Sequence, residues 1–417
     1  MNPCRGILQS LSSAALVLAV GAGCRTVSPH LTAPERRSTV VRVGIAVRAP
    51  ESVLSTRGAW RARAADDSWT IPDGSTLRCT AVDGRVTVVA SDGTAHSDAA
   101  EIRLEPGAED AQMIAGTTPY RGAFRVRLDG DQVTVVEVIE IEAYLRGVVG
   151  WEIGWLKPEL HAAMEAQAIA ARTYTCARLG QFEAQSFDVY ADERDQVYKG
   201  ALREDAVVDR AIAATRGLVL RYDGTLIQAY YSSTCGGFTS WIERVWSKPA
   251  APYLRGHRDA AGAGGSFCAE SPHFRWTETW SGGELQRTLQ ETLPRVLQLP
   301  AGTVVGSVQD LRIVTRDESA RVLDLDVVTD RSTYRVHGDA IRWVLRPAGR
   351  TILRSIMFEL DLERGAGAVT RVTALGGGNG HGVGMCQSGA LAMARRGYNR
   401  DAILGHYYPG TSLERSD

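Results

Sequence analysis

The stretch "LRGVVGWEIGW" (residues 145–155) sets a single acidic residue, Glu152, in a run of apolar residues and glycines. Val148, Val149 and Trp151 precede it, and Ile153 and Trp155 follow. A carboxylate there is either solvated at a turn or held in an apolar pocket. Burial disfavours the charged form and raises the pKa, which suits a general acid. The stretch also lies where a strand-rich pattern gives way to a helical one, so the fold turns on how it is read.

Upstream, the pattern is β. "VRVGIAVRA" (41–49) alternates, and "STLRCTAVDGRVTVVAS" (75–91) reads as strand, Asp-Gly, strand. "FRVRLDGDQVTVVEVIEI" (124–141) repeats that grammar around Asp129-Gly130, and "LVLRYDGTLIQAYYSS" (218–233) does so again. Asp-Gly between alternating runs is a strong hairpin signal. Downstream, "PELHAAMEAQAIAARTYTCARLG" (158–180) predicts a helix. Pro158 suits its first turn, Glu159 its positive end and Gly180 its stop. Leu160, Met164, Ala168, Ala171 and Thr175 form a narrow apolar stripe at 3.6-residue spacing. Residues 282–299 predict another helix, and 310–362 read as mainly β. "QSGALAMARRG" and "NRDAILGHYYPG" close the chain as two short helices, with Asn399 as N-cap of the second. Strands, helix, strands, helix, strands, helices: this order predicts an α+β fold of antiparallel, β-rich sheets packed with a few helices.

The chain has 417 residues, enough for a large core, and 47 basic against 48 acidic residues. With a net charge of -1 and no basic patch, nucleic acid is excluded as a partner. Arg5 followed by "ILQSLSSAALVLAVGAGC" reads as an export signal. Small residues before Cys24 resemble a bacterial lipoprotein cleavage site, although Gly21 stands where Leu is usual. The expectation is a leader over 1–24, a lipid-anchored protein beginning at Cys24, and a Pro-containing linker over 25–39. Membrane contact is then through the lipid alone, and the location is the cell envelope or periplasm. The rest divides into a β-rich part (40–141), a core segment (142–280), a mixed segment (281–365) and a closing segment (366–417). Outside the leader lie Cys79, Cys176, Cys235, Cys268 and Cys386, an odd number, so at least one is unpaired. No CxxC or HExxH spacing is present.

Four segments combine residues that can carry chemistry. The first holds Glu152. The second is the predicted helix with Gln167, Arg172 and Tyr174; Gln167 and Tyr174 share a face, and Arg172 lies off it, where it would complement the helix dipole at the surface. In the third, "YYSSTCGGFTS" (230–240), Gly236-Gly237 permits a tight turn with close ligand approach. The fourth, "GGGNGHGVGMCQSGA" (376–390), flanks His381 with glycines. It lacks the Lys-Ser/Thr of a P-loop and the dinucleotide spacing, so nucleotide binding is rejected. The glycines are read as leaving the imidazole uncrowded and letting backbone approach a sugar.

Together these segments resemble the stage II sporulation protein D family. "YLRGVVGWE" and "AAMEAQAIAARTY" match its Tyr-Leu-x-Gly-Val-Val-x-x-Glu and Ala-x-x-Ala-Gln-Ala-x-Ala-Ala-Arg-Thr-Tyr runs. "DQVYKG" (195–200) is an altered form of its Asp-x-Gln-x-Tyr-x-Gly element. "SSTCGGFTS", "SPHFRW" (271–276), "GHGVGMCQSGA" and "YYPGT" follow in the family's order. The resemblance runs from about residue 40 to 411 and implies a peptidoglycan lytic transglycosylase. Glu152 is then the catalytic acid, and Arg172, Ser233, Thr239, His381 and Gln387 orient the glycan strand. The implied substrate is glycan lacking stem peptides. The alternative function is a glycan-binding enhancer of a cell-wall amidase, which would make such an amidase a partner. Cys235 stands in the Gly-Gly turn and Cys386 where the family commonly has Ser. Some members carry cysteines equivalent to Cys235 and Cys268, as zinc ligands or a disulfide. With no histidine partner evident, a Cys235–Cys268 disulfide is preferred here over zinc or free thiols, and no cofactor is expected.

Overall fold

The computed structural model describes residues 39–416 except 156, 261, 263 and 366. Cys24 and the expected leader lie outside the described residues, as does the expected linker save its last residue.

The alternating segments form sheets, as their period requires. A seven-stranded sheet runs, in spatial order, Val189–Tyr190, Val40–Ala49, Gln132–Glu140, Ala123–Asp129, Glu101–Pro106, Trp60–Arg63 and Ser68–Ile71. A six-stranded sheet holds Thr118–Tyr120, Gln112–Ala115, Glu51–Arg57, Thr76–Val82, Arg85–Ala90 and Ala95–Asp98. Between the strands of the described residues, pairing is antiparallel except at two short places, one of which assembles the site described below. The fold is therefore α+β with antiparallel, β-rich sheets, as the sequence predicts.

The Asp-Gly turns differ in detail. At Asp83-Gly84 both central residues have positive φ (50° and 70°), the type I′ pattern that matches strand twist. In the next hairpin Asp129 pairs with Gln132, so the turn is Gly130-Asp131, one residue later than the Asp-Gly reading. Gly130, with φ 69°, takes the first central position. The third hairpin has only a two-residue return arm, Thr225–Leu226, because the chain leaves to join another sheet.

The alanine-rich segment is a helix over His161–Cys176, after a 3-10 turn at Pro158–Leu160. Its stripe residues face inward, but so does nearly everything else from Ala162 to Thr175. Helices Ala206–Ala214, Gln387–Arg395 and Arg400–Tyr407 and strand Leu218–Tyr222 pack around it. Small side chains allow that close approach from several sides, so the one-sided amphipathic reading is corrected to a central helix. Asn399 does cap its helix, accepting from the Ala402 N–H at 2.9 Å.

Residues 276–374 carry a second hydrophobic core, built on Trp280, Leu289, Leu293, Leu325, Val336 and Phe358. Helix Gly282–Val296 starts there on a capping box between Ser281 and Glu284. Two three-stranded sheets complete it: Trp276–Ser281 with Ala368–Gly376 and Phe358–Gly365, and Val308–Arg316 with Val322–Thr329 and Thr333–His337.

Candidate active site

Glu152 lies in a five-residue helix, Val149–Ile153, immediately before the turn at Gly154. The Trp155 ring packs over Gly150, leaving no room for a side chain there, and stands edge-on to Trp151 at 5.6 Å. This fixes the turn and half-buries the carboxylate. Burial pushes the Glu152 pKa up to about 7; bonds from the Val197 N–H and the Gln387 side chain pull the other way, and the charge of Glu193 adds to the rise. Desolvation wins, so the side chain is poised between its two forms near neutral pH.

The Val197 N–H meets Glu152 Oε1 at 2.7 Å. That loop is held in place by Asp195, which accepts from Tyr174 Oη at 3.0 Å, from Arg178 Nε at 3.2 Å and from the Tyr190 N–H at 2.8 Å. Gln196 donates to Thr175 Oγ1 at 2.8 Å and to Tyr144 Oη at 3.2 Å, and accepts from Tyr231 Oη at 2.7 Å. Four chain segments thus converge on the ground around one carboxylate. "DQVYKG" was visible as a motif, but no role for Gln196 or Val197 was read from it.

The fourth segment reaches the site through two residue pairs. Tyr231–Ser232 and Met385–Cys386 form a parallel bridge, with Tyr231 opposite Met385 and Ser232 opposite Cys386. The Ser388 N–H donates to the Ser233 carbonyl at 3.0 Å, and the Gly382 N–H to Ser232 Oγ at 3.2 Å. Thr234 and Asn379 exchange backbone bonds of 3.0 and 2.7 Å. So fixed, Gln387 bonds Glu152 and donates to Gln167 Oε1 at 3.4 Å. The Gln167 Nε2 is buried without a hydrogen-bond partner.

Not every expected residue is brought to Glu152. Arg172, read as a surface cation or glycan contact, is fully buried and bidentate to Glu142 at 2.9 and 2.6 Å. It also donates to the Leu218 carbonyl at 3.2 Å, so it ties the central helix to its neighbours. Thr239 is buried against the 257 turn: the His257 N–H donates to its Oγ1 at 3.0 Å. Ser233 is half-buried at the rim, with its carbonyl committed to Ser388 and its Oγ 3.4 Å from Thr234 Oγ1.

His381 is crowded, not open. Trp246 lies 4.8 Å from its ring and Tyr230 6.1 Å. The Val383 N–H donates to Nδ1 at 3.0 Å, which leaves the ring proton on Nε2, bonded to the Tyr231 backbone. Burial drives its pKa down to about 4, so it is a neutral imidazole with both nitrogens engaged. The glycines around it make room for protein. At Gly382 (φ 77°) a methyl would overlap the Arg321 guanidinium, and at Gly384 (φ 71°) the Tyr230 carbonyl.

Cys235 and Cys268 do come together, but as free thiols whose sulfurs are 3.6 Å apart, against about 2.05 Å for a disulfide. The two share their pocket with a third thiol, Cys386, and with Asp259. Asp259 sits in a stretch, "HRDAAGAGG", that carried no signal.

Comparison with known proteins agrees with these motifs. Residues 129–222 match the family described as stage II sporulation protein, and residues 265–384 match a domain of unknown function (DUF8618). Stage II sporulation protein D of Bacillus amyloliquefaciens is 30% identical over 351 residues, covering 76% of this chain and 88% of that protein. The protein of the same name from Bacillus subtilis (strain 168) is 29% identical over 301 residues, covering 68% and 76%. The amidase enhancer of that strain is 29% identical over 284 residues, but the match spans only 38% of its length. The chain belongs to the stage II sporulation protein D family. No helix among the described residues is long and apolar enough to cross a membrane.

Proposed function

We propose that this protein is a peptidoglycan lytic transglycosylase of the cell envelope, with Glu152 as its single acid-base group. The observation that carries the reading is a half-buried carboxylate with a pKa near 7, aimed by the Val197 N–H and Gln387. Protonated Glu152 gives its proton to the oxygen joining N-acetylmuramic acid to N-acetylglucosamine. The C1–O bond breaks through an oxocarbenium-like state. The carboxylate then takes the proton of the same sugar's C6 hydroxyl as that oxygen bonds to C1. The product is a 1,6-anhydro end, and the tethered nucleophile removes the need for a second carboxylate to activate water. Gln167 Oε1 holds the Gln387 side chain from the buried side, while His381 holds the loop that delivers Gln387.

The amidase enhancer among the relatives favours a second reading, in which the chain binds glycan and stimulates a cell-wall amidase. Glu152→Gln separates the two. On glycan strands stripped of stem peptides, the enzyme reading expects loss of anhydro-ended products with melting temperature and glycan binding retained. Full release of those ends by Glu152→Gln, or none by the unaltered protein while it stimulates an amidase, overturns it. The wild-type rate should also fall as pH rises above about 7, because the acid form is being depleted.

A further inference from the structure

Behind the Glu152 site lies a sealed cluster that this chemistry does not use. Cys235, Asp259, Cys268 and Cys386 are all buried, and one ligand atom from each lies within 4.8 Å of every other. They come from four separate places in the chain: the Gly-Gly turn, the residue between the bridges at Arg258 and Ala260, the 3-10 helix Phe267–Glu270 and the residue that caps helix Gln387–Arg395.

We propose that these four residues hold one zinc ion in a closed, tetrahedral Cys3Asp site. A single ion bound by thiolates at about 2.3 Å places its sulfurs about 3.8 Å apart. Cys235 and Cys268 are already at 3.6 Å, and Cys235 Sγ is 3.1 Å from Asp259 Oδ2. The spacing suits one ion and is too tight for an iron–sulfur cluster between the ligands. Three thiolates with one carboxylate, all buried, select zinc over the hard cations and over copper(I).

Three features outside the ligands point the same way. The Cys386 sulfur accepts the Cys235 N–H at 3.2 Å and the Gly389 N–H at 3.4 Å, donors suited to a thiolate. The other oxygen of Asp259 accepts from Tyr407 Oη at 2.8 Å and faces His406 Nε2 at 3.3 Å, which orients the carboxylate as outer partners of metal ligands do. Arg321, projecting from the second core, is fully buried and forms no ion pair among the described residues. Its guanidinium donates to the carbonyls of Cys235 at 2.8 Å and Phe238 at 2.9 Å, and its Nε has no partner. A buried cation needs a counter-charge. Zinc with three thiolates and a carboxylate carries a net charge of about -2, which the guanidinium offsets in part. Binding displaces three thiol protons into solvent, so nothing is oxidised or reduced.

The test is elemental analysis of the purified full chain, read beside thiol titration of the denatured protein. About one zinc per chain is expected, falling below about 0.1 in Cys268→Ser and staying near one in Cys176→Ser. Should Cys268→Ser fail to fold, the unaltered protein still decides. A strong chelator should remove the metal and lower Tm by more than about 5 °C, and zinc chloride alone should restore it. A metal-free chain that takes up no zinc, a chelator that leaves Tm unchanged, or two missing thiols from a Cys235–Cys268 disulfide overturns the proposal. Metal content is read without any glycan, so a failed zinc site and a failed transglycosylase reading are told apart.

Discussion

Two glutamates fifteen residues apart meet the same force and put it to different ends. Glu137, inside strand Gln132–Glu140, is fully buried; Glu152, past the helix that follows, is half-buried. Burial lifts both pKa values to about 7. Glu137 is sealed by the Gly122 N–H at 2.8 Å and Tyr198 Oη at 2.8 Å, under a stack in which the Tyr198 and Tyr144 rings are 4.7 Å apart. Glu152 keeps one side open and is bonded by the Val197 N–H and the Gln387 side chain. A raised carboxylate pKa thus marks burial, and only access to a proton acceptor makes it a reagent.

The widest gap between the two should be in turnover. Glu152→Gln should lower release of anhydro ends by about 100-fold or more, whereas Glu137→Gln should leave it within about 3-fold. Equal losses in both, measured at matched Tm, would erase the distinction.

Next in size is pH-dependent stability. A carboxyl raised from 4.5 to about 7 holds its proton in the folded chain after the unfolded chain has released it. Its stabilising contribution is complete below about pH 4.5 and is lost as pH rises to about 7, worth about 3 kcal/mol for one such group. Denaturant melts across that window should show stability falling with pH, and Glu137→Gln should remove part of the slope. A slope unchanged in Glu137→Gln would mean that Glu137 is already ionised in the fold.

The smallest effect expected is for Tyr198→Phe, which removes one bond to Glu137 and leaves the ring stack. It should destabilise by about 1 kcal/mol and leave turnover unaltered. A loss of turnover larger than tenfold would connect the sealed glutamate to the open one.

The division between what was legible and what was not follows the range of the forces. Period-2 alternation and Asp-Gly turns are local, and they placed the hairpins at Asp83-Gly84 and Asp129-Gly130 to within a residue or two, while the third kept only a two-residue return arm. The apolar setting of Glu152 was legible locally, but whether its carboxylate was solvated or pocketed was not, and the role of acid came only with the resemblance to a family. Gln387 was legible only by resemblance to a family motif. Arg172 was misplaced because helix periodicity describes one face, and this helix is enclosed on several. His381 was misread for a similar reason: its glycine neighbours said nothing of Trp246, 135 residues earlier, which covers the ring. Asp259 had no local mark at all, since its meaning depends on three cysteines that are distant in the chain.

The two-residue bridge between Tyr231–Ser232 and Met385–Cys386 has a consequence for how the protein comes into being. It joins strands about 150 residues apart, so closing it is a late, slow event compared with forming the hairpins. During synthesis Glu152 and its Val197 donor are made long before Gln387. A nascent or truncated chain ending before residue 385 carries the carboxylate without the residue that completes its setting. On the proposed reading, cleavage of the cell's own wall is thereby withheld until almost the last of the chain has been built and docked.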